Sequence, residues 1–204
     1  MTRASDAKDA PGVTARQLDD RGDEELMAMV ANGHKEALGI LYRRYGALVG
    51  SVLCRLLPAT ALHEAHDLRQ EVFIALYQNA RRYQPRGLFR AYLLGIAARQ
   101  VRGLTRGMAI HRRLLALFWG TSTRRSEPAE RPEAALDARL MISRLLSRLS
   151  AAHREVVILF HLQGLSAAEI SCCLAISEKT VWTRLHRARR ALQKARGTEP
   201  GEAT

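Results

Sequence analysis

Cysteine, aromatic side chains and β-branched runs are scarce in this chain, and each shortage removes a class of explanation. Three cysteines occur in 204 residues, with Cys172 and Cys173 adjacent and Cys54 far away. An odd count without a CxxC pair is not a disulfide framework. The seven histidines do not stand at ligand spacing from the cysteines, so no metal site is expected. Extended runs of Val, Ile and Thr are nearly absent, whereas Ala, Leu, Arg and Glu abound, which excludes a sheet protein and predicts an all-α fold. No apolar run reaches the length of a membrane-spanning helix. The amino terminus, MTRASDAKDAPG, is polar and lacks the apolar centre of a secretory leader. A cytoplasmic protein without membrane insertion is expected. Nucleophile elbow, phosphate-cradling glycine loop and metal cluster are all missing, so neither an enzyme nor a cofactor is expected.

Acidic residues are scarce where basic ones concentrate. The net charge of +12 comes from two blocks, residues 38–115 and 135–196, while the stretches around them are neutral or acidic. Either block could neutralise phosphates and draw nucleic acid by long-range attraction. The hydrophobic pattern agrees with this partition. It predicts a disordered tail over 1–20, a small helical domain over 21–107, a flexible linker over 108–134, a second small helical domain over 135–196, and a disordered tail over 197–204. The linker carries Pro128 and Pro132 but also the apolar run at 114–119, whose packing partner the sequence leaves open.

In the first domain, a helix is predicted from Asp23, with acids suited to its positive end. A longer one follows from about His34 and stops at Pro58. The segment AHDLRQEVFIALYQNARRY, residues 65–83, reads as a third helix with apolar residues around most of its cylinder. It could be the centre of a bundle. Its interleaved Asp67, Gln70, Glu71 and Gln78 equally suit a surface that meets a partner protein, because acids are badly placed for touching DNA. YQPRG, residues 83–87, then reads as a loop crowded by Arg81, Arg82 and Arg86. Aromatic and Arg side chains on loops are a means of holding unstacked bases, though a lone Tyr is as readily a packing lid. The following helix turns Phe89, Leu93, Ile96 and Ala97 inward and leaves Arg90, Arg99, Arg102 and Arg106 outside.

The second domain carries the sharpest signal. Ser150 is placed to cap one helix, Ser166 and Glu169 form a capping box for the next, and Ser177 caps the last. That last helix buries Val181, Leu185, Ala188 and Leu192 and exposes Lys179, Thr180, Trp182, Thr183, Arg184 and Arg187 near its start. Two helices around a tight break, the second basic, are the arrangement of a helix-turn-helix whose second helix enters the major groove. Arg184 and Arg187 could bond guanine or clamp phosphate.

On these residues the chain resembles bacterial RNA polymerase sigma factors of the extracytoplasmic-function (ECF) group. AHDLRQEVFIALYQNARRY resembles the helix of their region 2.2. FRAYLLGIAARQ resembles the helix of regions 2.3 and 2.4, and the stretch from LSRLSAAHREVV to LHRARRAL resembles region 4. The resemblance implies that Asp67, Gln70, Glu71 and Phe73 dock the clamp helices of the largest polymerase subunit. It implies that Arg82, Tyr83, Gln84 and Arg86 approach the −10 element and help capture a flipped base, with Arg90, Arg99 and Arg102 supporting opened DNA. It implies that Lys179, Thr180, Trp182, Thr183, Arg184 and Arg187 lie at the −35 element. The implied partners are core RNA polymerase, including its flap, promoter DNA and an anti-sigma factor. His66, Tyr92, Gln100, Ser150, Ser171 and Trp182 depart from the usual residues, and Trp182 puts the ordinary −35 preference in question. Two other readings stay open: a helix-turn-helix regulator that binds duplex DNA without polymerase, and a non-catalytic protein-binding adaptor.

Overall fold

The computed structural model describes residues 18–119 and 134–196. The tails expected before residue 18 and after 196, and the linker segment 120–133, lie outside the described residues, as do the side chains of 114–119. Among the described residues every regular element is helical.

Helix α1 (Asp23–Ala31) opens on three acids and ends where Gly33 takes a φ of +94°. Its buried face is Leu26, Met27 and Val30; Met29, which the apolar period placed inside, is only partly buried. Leu18, in the stretch read as a polar tail, is also buried. Helix α2 (Lys35–Leu56) buries Ile40, Leu41, Val49, Val52 and Leu53 and gives way to extended backbone at Leu57, immediately before Pro58. Helix α3 (Ala65–Gln78) is shorter than the 65–83 span predicted. The Asn79 side chain bonds the Ala75 carbonyl at 2.8 Å, and the chain tightens into a short 3₁₀ turn, Ala80–Arg82. A side chain that satisfies a terminal carbonyl stops a helix as a glycine does.

Helix α4 (Phe89–Trp119) is the longest element. The sequence splits it near Arg106 into a domain helix and the start of a linker; the structure runs it through without a break. From Leu93 to Ala98 every residue is buried, so this stretch is covered on more than one side. One side meets α2 and α3. The other meets the second half of the chain.

That half comprises α5 (Ala134–Ser147), α6 (Ala151–Val157), α7 (Ala167–Leu174) and α8 (Glu178–Arg196). The expected caps are present. The Ser150 hydroxyl accepts from the His153 amide. Ser166 and Glu169 complete a reciprocal capping box, and the Ser177 hydroxyl accepts from the Thr180 amide at 3.2 Å. Hydrogen bonds from the Ser166 backbone and hydroxyl hold the Glu169 carboxyl below its ordinary range. The box is therefore fully formed above that range and is lost as pH falls through the lowered value. Beyond α6 the chain continues as a π-helical turn, Ile158–Leu162, closed by Gly164 at a φ of +66°. The sequence reads this segment as an uninterrupted helix.

The turn between α7 and α8 places Ala175 at φ 54°, ψ 48°. Ser171 helps to hold it, its hydroxyl donating to the Ile176 carbonyl at 2.6 Å. A side chain in the left-handed region costs about 1 kcal/mol that glycine avoids. Ala175→Gly is expected to stabilise the fold by about 0.5–1 kcal/mol, seen in a urea melt as a higher midpoint at unchanged slope.

Candidate nucleic-acid and partner interfaces

Helix α3 presents one polar face to solvent. Asp67, Gln70, Glu71, Ile74 and Gln78 are all exposed, and their spacing of three and four puts them on one stripe. His66 bridges the base of this stripe, one ring nitrogen 3.1 Å from the Arg69 guanidinium and the other 3.1 Å from the Gln70 amide. Phe73 does not belong to it. Predicted as a docking residue, it is 4% exposed and packs edge-on to Tyr42 at 4.8 Å. Its position points it back toward α2, so it supports the face from beneath. The apolar group that does reach solvent is Ile74, 54% exposed, with Tyr77 beside it. The spacing from Asp67 could have found Ile74; attention to the motif drew the choice to its neighbour.

The Tyr83 loop is built differently from a free stacking platform. The Tyr83 hydroxyl donates to Glu24 Oε1 at 2.7 Å. Its ring lies 4.7 Å from Tyr92 and edge-on to Phe89 at 6.2 Å. Burial first, and then the bond to Glu24, raise its pKa well above the ordinary tyrosine value. Tyr45 is held similarly against Asp23, its pKa pushed up to about 12. Tyr83 is thus one fixed wall of a cavity of about 310 Å³, with Arg82, Arg86, Tyr92 and Arg99 among the other walls. A space of that size with aromatic and guanidinium walls suits a planar, electron-rich ligand such as a nucleobase. Gln84 lies at the same cavity and bonds Arg86 at 2.7 Å.

Its far wall comes from the other half of the chain: Cys172 and Cys173 of α7. Four contacts join the halves. Arg90 donates to Gln163 Oε1 at 3.2 Å. Arg102 Nε lies 3.4 Å from Glu155 Oε1. Arg154 reaches across to the Leu56 carbonyl at 3.3 Å while also bonding Leu146 and Leu149. Gly95 passes so close to α7 that a Cβ there would lie 2.6 Å from the Cys173 carbonyl oxygen. Burial raises the Glu155 carboxyl above its usual range, and Arg102 and then Arg184 pull it back. The Cys173 thiol is pushed up to about 12, chiefly by burial, so it is not the thiolate that reacts. Among the described residues no cluster of histidine, cysteine and acid could hold a metal ion, and no helix is long and apolar enough to cross a membrane.

On α8, Lys179, Trp182, Thr183 and Arg187 are exposed, and Thr180 and Arg184 are half-buried. The Thr183 hydroxyl folds back to the Lys179 carbonyl at 2.8 Å, which leaves its methyl outward. Trp182 is 54% exposed. Phe160 covers one of its sides, edge-on at 5.6 Å from the π-helical turn. The basic helix is therefore flanked by an aromatic pair.

Comparison with known proteins separates the chain into the same two parts. Residues 41–106 match the family model described as Sigma-70 region 2, and residues 139–192 match Sigma-70, region 4. Over 182 residues the chain is 31% identical to RNA polymerase sigma factor CnrH of Cupriavidus metallidurans, covering 83% of this chain and 92% of that one. It is 34% identical over 164 residues to ECF RNA polymerase sigma factor SigL of Mycobacterium tuberculosis, covering 75% and 85%. Among solved structures it resembles CnrH in complex with the cytosolic domain of CnrY, with a TM-score of 0.63 and 26% identity over 87% of this chain and 99% of that one. It also shares the fold of RpoE of Bartonella quintana, solved with the anti-sigma factor NepR, at a TM-score of 0.58 and 19% identity over 78% and 96%.

The separation of roles on α3 has a direct test. Phe73→Ala should cost about 3–5 kcal/mol of stability, as for a buried aromatic. Ile74→Ala should stay within about 0.5 kcal/mol, as for a surface site. Urea unfolding followed by circular dichroism reads both, and comparable losses would place Ile74 in the core.

Proposed function

This chain belongs to the ECF group of the sigma-70 family, and on that premise we propose that it docks core RNA polymerase through the exposed stripe of α3, reads two promoter elements and promotes their opening. Catalysis belongs to the polymerase, and this chain supplies specificity. The observation that carries the reading is the pairing, on one chain, of an acidic and apolar α3 face with a strongly basic α8 behind a capped helix-turn-helix. A duplex-binding regulator has no use for the first of these.

The division of labour follows from the chemistry of each face. Asp67, Gln70 and Glu71 offer oxygen acceptors around Ile74, a polar rim about an apolar anchor. Their partner is the clamp of the largest polymerase subunit. The cavity beside Arg82, Gln84 and Arg86, walled by Tyr83, takes a base turned out of the −10 element, and Arg90, Arg99 and Arg102 neutralise the strand that opens beside it. Lys179, Thr180, Thr183, Arg184 and Arg187 meet the −35 element. Trp182, held by Phe160, lies against sugar or a thymine methyl and biases that readout away from the usual residue's preference. Joining two modules on one polymerase raises the local concentration of each for its own element, so element spacing becomes part of specificity. Because arginines carry much of the binding, affinity falls steeply with salt. The cell keeps such a factor in check with a protein partner, as the complexes of CnrH with CnrY and of RpoE with NepR illustrate for those two proteins. The site of action is the cytoplasm.

Run-off transcription with purified core polymerase and genomic fragments tests the reading. The wild-type chain is expected to co-elute with core and to give discrete transcripts. Glu71→Ala should lose co-elution by about tenfold in affinity. Arg184→Ala should keep co-elution but reduce specific transcripts by about tenfold, the worth of one good base or phosphate contact. A chain that never associates with core, yet protects a defined duplex site alone, would overturn the proposal in favour of a simple regulator.

A further inference from the structure

The two buried polar side chains among the described residues are Glu155, 4% exposed, and Gln163, 7% exposed. Both belong to the helix-turn-helix half. Each points an oxygen at an arginine of α4: Glu155 at Arg102 across 3.4 Å and Gln163 at Arg90 across 3.2 Å. Burying polar groups costs stability unless they are partnered, and here the partners lie in the other half of the chain. Those arginines are two of the three that the function proposed above assigns to opened DNA. The third, Arg99, lines the base-sized cavity whose far wall is Cys172 and Cys173.

We propose that the helix-turn-helix half acts as an internal stand-in for the opened promoter strand: it occupies the arginine face of α4 in the free factor, and has to leave before DNA can enter. The carboxylate and amide oxygens of Glu155 and Gln163 take the places of phosphate oxygens, and the α7 backbone closes the cavity. The chemistry of the match is that of charge-assisted hydrogen bonding to guanidinium. Gly95 makes the approach possible, since α7 presses its Cys173 carbonyl against that position so closely that any side chain would collide. Arg154 fastens the far edge by bonding carbonyls of both halves, Leu56 on one side and Leu146 and Leu149 on the other. The consequence is a factor that binds single strands weakly by itself, because the competent form is a minor population and apparent affinity falls in proportion to that fraction. The inference rests on the assignment of Arg90, Arg99 and Arg102 to opened DNA.

The test uses the full chain without polymerase. Gly95→Leu should expand the radius of gyration in small-angle X-ray scattering and leave the helical content by circular dichroism unchanged. It should tighten binding to short fluorescein-labelled random single-stranded DNA about tenfold, the gain expected if the open form is roughly a tenth of the wild-type population. Further replacement of Arg90 and Arg102 by Ala should abolish that gain. If Gly95→Leu loses its helical content, the double variant Glu155→Gln, Gln163→Ala gives the same reading without added bulk. Unchanged scattering, or expansion without tighter binding, or a gain that survives loss of both arginines, would each overturn the proposal. Transcription by the wild-type chain with core polymerase tests the underlying assignment separately, and can succeed whether or not the free factor is closed.

Discussion

One stretch of backbone constrains the rest of the molecule: the part of α4 from Leu93 to Ala98, where no residue reaches solvent. An amphipathic surface helix has one apolar stripe and one polar side. This helix instead offers Leu93, Leu94, Ile96 and Ala97 to neighbours on two sides, with Gly95 and Ala98 keeping one approach shallow. Each large buried aliphatic group there contributes about 1.5–3 kcal/mol relative to exposure. Both halves of the chain draw on it. Polar surface is consequently confined to the margins, and the margins carry Arg90, Arg99 and Arg102. The same geometry that packs the core sets where the positive charge can stand.

The charge pattern becomes intelligible from that constraint. A sigma factor that reads two elements must expose strongly basic faces when bound, and such faces are a liability when free, because non-specific attraction to nucleic acid is strong and cheap to form. In the free chain Arg90, Arg102 and Arg154 are engaged within the protein, whereas Lys179 and Arg187 of α8 remain exposed. The part that meets opened DNA is thus covered while part of the basic helix is not. The α3 face is spatially separate from both, so polymerase docking does not require the halves to part first. An ordered sequence follows, with docking before strand capture.

Legibility in the sequence tracked how local the deciding interaction was. Ser150, Ser166 with Glu169, and Ser177 were readable as caps because each bond lies within one turn of the chain. The helix-turn-helix and the −35 candidates followed from those caps and the charge asymmetry. Terminations that depend on a particular bond were missed: Asn79 stops α3 through Ala75, and the π-helical turn after Val157 leaves no compositional mark. Phe73 was assigned to the surface because the motif around it faces outward; its own position on the helix turns it toward Tyr42. Gly95 was noticed as a possible close contact, but what it approaches lies 78 residues further along, at Cys173, and no spacing rule reaches that far. The pairing of Arg102 with Glu155 was hidden for the same reason.

The most direct measurement is amide hydrogen exchange on the free, full-length chain, resolved to peptides from Ala91–Val101 and Ala167–Leu174. If α4 is the shared core of both halves, the two peptides open as one cooperative unit, with matching protection that falls together as urea is added. Protection of Ala167–Leu174 that is lost well before that of Ala91–Val101, with the latter unaffected, would show two independent domains and contradict the account.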